Sequence, residues 1–553
     1  MTESSSSRNG GQILVEALRR NAADTIYTVP GESFLPVLDA LYDVPEIRCI
    51  VTRHEGAASN MADAYGKLTG RPGIAFVTRG PGATHAANGV HTARQDSTPM
   101  ILFIGQVETG MKEREGFQEV DYRQMFGGLA KWATEIEDIS RIPEVVSRAF
   151  SVAMSGRPGP VVVGLPEDAL FSAAQVADVP PVRIGSPAPQ VGHMEELLER
   201  LSAAERPLVV VGGTGWTPEA NADLARFIHA FDLPVAASFR RQDLFDNRDA
   251  NYVGQMGLGM SPALTKTASE ADLLLVVGSR MTDIPSGNYT VVEAPRPKQV
   301  FIHMHADPDE LGRVYVADLP INTGMPAAAA ALAALPAPAS VKWKERTRQA
   351  RADYVEHSTP QENAEVRGVD LGMVLRHLND TLPDDAIIAN GAGNFTVWVH
   401  RYFRYRRPAT ELAPTNGAMG YGFPAAVAAK LRHPERTVVC FAGDGCFMMY
   451  PQELATAMQF GAPLVVIVVN NGMLGTIRMH QDRDYPGRVV ATDLVNPDFV
   501  VFAQSFGAHA ERVETTEAFP AAFERALQSG KPALIELRTD PLQITPQLRM
   551  KGD

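Results

Sequence analysis

Asp444 stands between two glycines, Gly443-Asp444-Gly445, where an apolar run ends, and Asn470-Asn471 close a second apolar run 26 and 27 residues further on. A carboxylate and a carboxamide at the ends of two strands form an oxygen-rich donor set. That set suits a hard divalent cation such as Mg²⁺, which is commonly held together with phosphates. Glycines on either side let backbone amides approach phosphate oxygens closely. A second carboxylate, Glu55, follows the short apolar run Cys49–Thr52 and opens the small-residue segment Ala57–Leu68. A half-buried Glu there holds its proton more readily and suits proton exchange with a heterocycle. A bland reading exists for each: an acidic turn for Asp444, and a helix-start Glu stabilised by the helix dipole for Glu55.

These residues need elements to carry them. Thr437–Asn471 reads as strand, tight turn, helix, strand, one βαβ unit that sets Asp444 and Asn471 at the carboxyl ends of neighbouring strands, where ligands bind in open parallel sheets. The same alternation recurs along the chain and predicts an α/β protein of three domains, each a doubly wound, mostly parallel sheet. The boundaries expected are a flexible tail over 1–11, a first domain over 12–172, a central domain over 190–335 and a third over 365–553. Pro/Ala-rich stretches near 171–195 and 326–340 separate them, the second with a short helix before its linker. The first and third sets read as similar sheets around a different middle one.

Composition narrows the class. The 553 residues are 45% hydrophobic and 21% charged with a net charge of −13, ordinary for a soluble globular protein and without the basic footprint of a nucleic-acid binder. No apolar stretch is long enough to cross a membrane. The first eleven residues lack the apolar core of a signal peptide. Cys49, Cys440 and Cys446 form no metal-ligand spacing and suit a reducing compartment, so a cytoplasmic location is expected.

Several longer phrases carry a resemblance. Arg53–Gly73 with Val77-Thr78-Arg79-Gly80-Pro81-Gly82, Gly105-Gln106-Val107, Phe117-Gln118-Glu119, Lys131-Trp132, Ser155–Pro160, Gly417–Ala426 and Gly443–Asn471 keep the order and spacing of thiamine-diphosphate enzymes. Nearly the whole chain resembles the acetolactate synthase large, catalytic subunit family. The resemblance implies a thiamine diphosphate and Mg²⁺ site. Asp444, Asn471 and the Met473 carbonyl would hold the metal, and amides around Gly445 and Cys446 the diphosphate. Carbonyls near Gly417 would take the aminopyrimidine, Met419 would bend the cofactor, and Glu55 would bond the pyrimidine. Gln118 would face the substrate side, with Phe117 and Lys131 at the entry. It implies decarboxylation of a 2-keto acid such as pyruvate, with carboligation to a second carbonyl compound. It also implies a homo-oligomer, a dimer at least and commonly a tetramer, because Glu55 and the diphosphate site come from different subunits in that family.

Other features stay open. Gly212-Gly213-Thr214-Gly215 is not a dinucleotide fingerprint and is often structural. In acetolactate synthases the middle domain binds FAD, and Arg157 and Arg280 match contacting positions; acyl-CoA relatives bind ADP there. FAD, ADP or neither is left open. His54 and His85 are acid-base candidates. Strand alternation turns His54 away from Glu55, and His85 stands at a helix start where the family often has Asn.

The chain also departs from the family. Thr476 and His480 replace a usual Met and Trp of the acceptor pocket. Asn394-Phe395-Thr396 replaces a phosphate-binding Gln-His-Gln, with Asn394 a substitute contact. Glu167 replaces a Lys, and Glu32 a Gly. A related C–C lyase or decarboxylase is therefore the alternative, of the 2-hydroxyacyl-CoA lyase, oxalyl-CoA decarboxylase or benzaldehyde lyase kind. A non-catalytic homologue is the reading from another class.

Overall fold

A computed structural model describes residues 7–363 and 365–550. Most of the expected 1–11 tail lies outside them, but its end is structured. Arg8–Asn9 pairs antiparallel with Ala173–Ala174. Helix α1 (Gly10–Arg20) starts two residues before the apolar periodicity shows it, because Asn9 and Gln12 form a reciprocal capping box.

The first sheet holds six parallel strands, β1 (Thr25–Thr28), β2 (Arg48–Val51), β3 (Gly73–Val77), β4 (Met100–Gln106), β5 (Trp132–Glu135) and β6 (Pro160–Pro166), in the order β2-β1-β3-β4-β6-β5. Helices α2 (Glu55–Thr69) and α3 (Gly80–Asp96) follow β2 and β3. The compact unit built on this sheet, residues 7–185 of those described, also takes in 427–433 and 450–462.

A second unit holds two further sheets. Its central sheet comprises β7 (Pro207–Val211), β8 (Val235–Ser238), β9 (Tyr252–Met256), β10 (Leu273–Val277), β11 (Val300–His305) and β12 (Leu319–Asn322), ordered β9-β8-β7-β10-β11-β12. Leu208 and Val210 enter one core while Val209 and Val211 enter another, so the sheet is covered on both faces. The third sheet comprises β13 (Ile387–Asn390), β14 (Glu411–Leu412), β15 (Val438–Gly443), β16 (Val465–Asn470), β17 (His509–Val513) and β18 (Ala533–Arg538), ordered β14-β13-β15-β16-β18-β17. The first and third sheets thus share one strand order. The middle one has the 3-2-1-4-5-6 order of dinucleotide-binding sheets.

Beyond the expected end of the central domain at 335, helix Lys344–His357 packs on its sheet, and Trp343 and Tyr354 are buried in the central core. Its sequence is strongly charged, so no apolar stripe announces it. Strands β5, β9, β12, β14 and β17 all lie at sheet edges, where apolar runs are broken. No helix among the described residues is long and apolar enough to cross a membrane.

Trp343 also donates its indole N–H to the Phe231 carbonyl at 3.0 Å. Trp343→Ala is expected to destabilise the protein by about 3–5 kcal/mol, read as a fall in the midpoint of thermal unfolding. An unchanged midpoint would place this helix outside the central domain.

Candidate functional site

The third sheet builds one half of the candidate site. β15 and β16 are adjacent and parallel with Gly443 opposite Val469, so Asp444 and Asn471 leave the sheet side by side. Asp444 is only 2% exposed. Its Oδ1 accepts from the Gly445 amide at 2.8 Å, and its Oδ2 from the Gly472 amide at 2.9 Å and the Asn496 carboxamide at 2.8 Å. All three donors are neutral. Burial raises the Asp444 pKa above the ordinary carboxylate value, and these bonds offset only part of that. A buried anion held by dipoles alone, in a cavity wall that also includes Asn471 and Met473, fits a divalent cation.

The two asparagines differ in role. Asn470 donates to the buried Glu536 at 2.7 Å and is structural, while Asn471 lines the cavity. That cavity, about 290 Å³, is lined by ten of the expected residues: Asn394, Gly417, Met419, Gly443, Asp444, Gly445, Cys446, Asn471, Met473 and Thr476. Gly445 is required by packing, since a Cβ there would lie 2.8 Å from Leu474 and 3.1 Å from Leu494. The Gly445 amide, expected at a phosphate, instead donates to Asp444. The Cys446 thiol accepts from the Gly420 amide at 3.2 Å. Thr476 donates to Asn394 Oδ1 at 2.9 Å, so two family departures meet in one contact. His480, expected in the acceptor pocket, is exposed on helix α5 (Gly475–Asp484) and is not among the residues lining this cavity. Asn496 was not foreseen. It reaches Asp444 because the segment before it folds back, with Leu474 donating to Thr492 and Leu494 to Gly472.

The first sheet builds a second cluster. Glu55 opens α2, and the preceding His54 caps that helix by accepting from the Gly56 amide at 3.0 Å. Cap geometry overrides the alternation that would turn His54 away. The His54 ring stacks on His85 at 4.5 Å between centroids, and His85 Nδ1 lies 2.8 Å from Glu55 Oε2. Burial, and then His85, lower the His54 pKa. Behind the cap lies Glu453, on helix α4 (Glu453–Gln459) of the same unit and fully buried. It accepts the Arg53 amide at 3.1 and 3.3 Å and the Thr456 hydroxyl at 2.6 Å. Burial pushes its pKa up to about 7.

Gln118 adopts a left-handed φ of +66°, and its carbonyl accepts the Gly80 amide at 2.9 Å. Backbone strain of this kind is often stored at functional loops. Glu119 holds the loop by accepting the Glu113 amide at 2.7 Å and the Gly116 amide at 2.9 Å. Phe117 is 74% exposed on that loop. Lys131, expected at the entry, donates to the Ser155 carbonyl. Arg157, expected at FAD, is buried and donates to Ser97 at 2.9 Å and to the Arg94 carbonyl.

In the central sheet, Arg280 follows β10 and is partly buried. A Cβ on Gly212 would meet Ser238 and Ser279 at 2.7 and 2.8 Å, and one on Gly213 would meet the Gly278 carbonyl at 2.1 Å. Close packing of strand ends explains both glycines without a ligand.

Comparisons with known proteins agree with the three-sheet fold. Family models described as the N-terminal TPP binding domain, the central domain and the C-terminal TPP binding domain of thiamine pyrophosphate enzymes match residues 8–125, 194–333 and 391–537. The acetolactate synthase large subunit of Parasynechococcus marenigrum (strain WH8102) is 33% identical, over 96% of this chain and 87% of its own length. The acetolactate synthase isozyme 2 large subunit of Escherichia coli (strain K12) is 30% identical over 97% and 96%. A probable acetolactate synthase large subunit of Methanocaldococcus jannaschii is 31% identical over 98% and 94%.

Glu453 gives this architecture a pH signature. Its folded pKa, about 7, lies above the ordinary 4.5. The unfolded chain therefore releases this proton first, and stability declines as pH rises from about 4.5 to about 7. Glu453→Gln removes this contribution, so its unfolding midpoint relative to wild type is expected to improve across that window. A pH-independent difference would contradict the burial argument.

Proposed function

The chain belongs to the thiamine pyrophosphate enzyme family, and from that premise we propose that it decarboxylates a 2-keto acid, with pyruvate the foremost donor, and joins the product to a second carbonyl compound. Thiamine diphosphate with Mg²⁺ would be the cofactor, supplying the carbon nucleophile and the electron sink. The observation that carries this reading is Asp444: a buried carboxylate with neutral donors only, set beside Asn471 and Met473 in the cavity wall.

Asp444, Asn471 and the Met473 carbonyl would hold the cation. The Cys446 amide, with Asn394 nearby, would meet the diphosphate, and Met419 would support the ring system from the cavity wall. Glu55 would hold or release a proton at the pyrimidine. Gln118 and Thr476 would orient substrate. The active unit would be a homodimer or larger. FAD plays no part in these steps, and the absorption spectrum of the purified protein decides whether it is bound.

A second reading within the family is a related C–C lyase or decarboxylase. It is favoured by the Thr476–Asn394 contact and the exposed His480, which stand where acetolactate synthases carry an acceptor-shaping Met and Trp. Product analysis across a panel of 2-keto acids and acyl-CoA thioesters, scoring CO₂ and ligation products, separates the two.

Asp444→Ala is expected to weaken Mg²⁺-dependent binding of thiamine diphosphate at least about 100-fold, measured by titration calorimetry; retained affinity would remove the metal assignment. Glu55→Gln is expected to leave the fold intact and slow hydrogen exchange at the reactive carbon of the bound cofactor by about 10²–10⁴-fold. An unchanged exchange rate would contradict the role given to Glu55.

A further inference from the structure

His85 remains outside the roles set out above, yet it makes the closest polar contact of Glu55. Its Nδ1 lies 2.8 Å from Glu55 Oε2. The two side chains differ in access, His85 being 52% exposed and Glu55 12%. Glu55 Oε1, the other oxygen, faces Gly82, where a Cβ would stand 3.6 Å from it. One oxygen of Glu55 is therefore engaged by imidazole while the other points to a glycine that leaves room beside it.

The ring is also held. It stacks on His54, with centroids 4.5 Å apart and planes at 28°. His54 is fixed by its cap bond to Gly56 and by the edge of Tyr450 at 5.2 Å. His85 itself lies in the first turns of α3, after Gly80-Pro81-Gly82. Two helix starts thus bring a solvent-accessible imidazole against a mostly buried carboxylate in fixed register.

We propose that His85 is a positioning and proton-relay residue for Glu55, connecting its buried carboxylate to solvent. The relay is proton transfer alone. Neutral His85, protonated on Nδ1, passes that proton to Glu55 Oε2 as Glu55 yields one from Oε1 to its ligand, while His85 Nε2 takes a proton from solvent; one proton thus moves from solvent to the ligand, and the reverse sequence returns both groups to their starting state. A Glu without such a neighbour must exchange its proton directly with water in a partly closed site. The groups facing the pair are His54, Tyr450, and, behind the Arg53–His54 backbone, Glu453 and Arg53. This inference rests on the role proposed for Glu55.

The test uses the full chain labelled with ¹⁵N-histidine and free of cofactor, with His85→Asn identifying the His85 signals. In the neutral ring the proton is expected on Nδ1, the nitrogen facing Glu55, and Glu55→Ala is expected to move it to Nε2, the form an isolated imidazole favours. A wild-type His85 already protonated on Nε2, or one indifferent to Glu55→Ala, would overturn the dyad. The second readout is the pH profile, between about pH 5.5 and 8.5, of hydrogen exchange at the reactive carbon of bound thiamine diphosphate. His85→Asn, with an unchanged circular-dichroism spectrum, is expected to slow that exchange about 10²-fold across the profile. An unchanged profile would reduce the contact to a structural one and overturn the relay. If wild type binds no thiamine diphosphate, the cofactor reading fails, and the relay, which rests on it, falls too; the tautomer measurement then judges the contact alone.

Discussion

A carboxylate removed from water at the end of a parallel sheet sets the terms for the C-terminal half of this protein. Taking an ion out of water costs several kcal/mol unless other charges or dipoles answer it. Asp444 is answered by two amides and a carboxamide, all neutral. The surrounding architecture serves that arrangement. β15 and β16 run side by side so that the Gly472 amide reaches Oδ2. The segment around Thr492–Asn496 folds back on Gly472–Leu474 to deliver Asn496. Asn470 is held by Glu536, which Arg512 in turn grips at 2.8 Å. A divalent cation, as proposed above, would complete the charge balance that these neutral donors leave open.

The first unit uses the same device for a different end. Glu453 is fully buried and accepts the Arg53 amide, two residues before Glu55. His54 caps α2 and stacks against His85. Glu55 is therefore delivered by a helix start clamped from behind and stacked from the side. The cost of burying Glu453 appears as its raised pKa and is tolerated where a carboxylate must be aimed.

Much of this was legible in the sequence, for identifiable reasons. Central parallel strands are continuous apolar runs, so the strands bearing Asp444 and Asn471 could be read to within a residue or two, and their adjacency follows from the βαβ unit. The likeness of the first and third sheets around a different middle one appears as a shared strand order. Of the ten cavity residues named in advance, Gly443, Asp444, Gly445 and Asn471 stand out because glycines, Asp and Asn at strand ends have few other reasons to occur together, while Asn394, Gly417, Met419, Cys446, Met473 and Thr476 came from the family resemblance. The charged helix Lys344–His357 escaped because only Trp343 and a few residues of one face are buried. Asn496, Glu453 and the His85–Glu55 contact escaped because long-range folding brings each to its partner, 52, 400 and 30 residues away in sequence. His54 was misdirected by strand alternation because a helix cap sets its direction instead.

The central claim is that the Asp444 edge holds a divalent cation together with thiamine diphosphate. Crystals grown with thiamine diphosphate and Mn²⁺ in place of Mg²⁺ test it directly by anomalous scattering. The account predicts one strong manganese peak roughly 2.1 Å from oxygens of Asp444, Asn471 and Met473, next to diphosphate density in the cavity they line. A peak at other residues, or diphosphate density with no metal at Asp444, would contradict it.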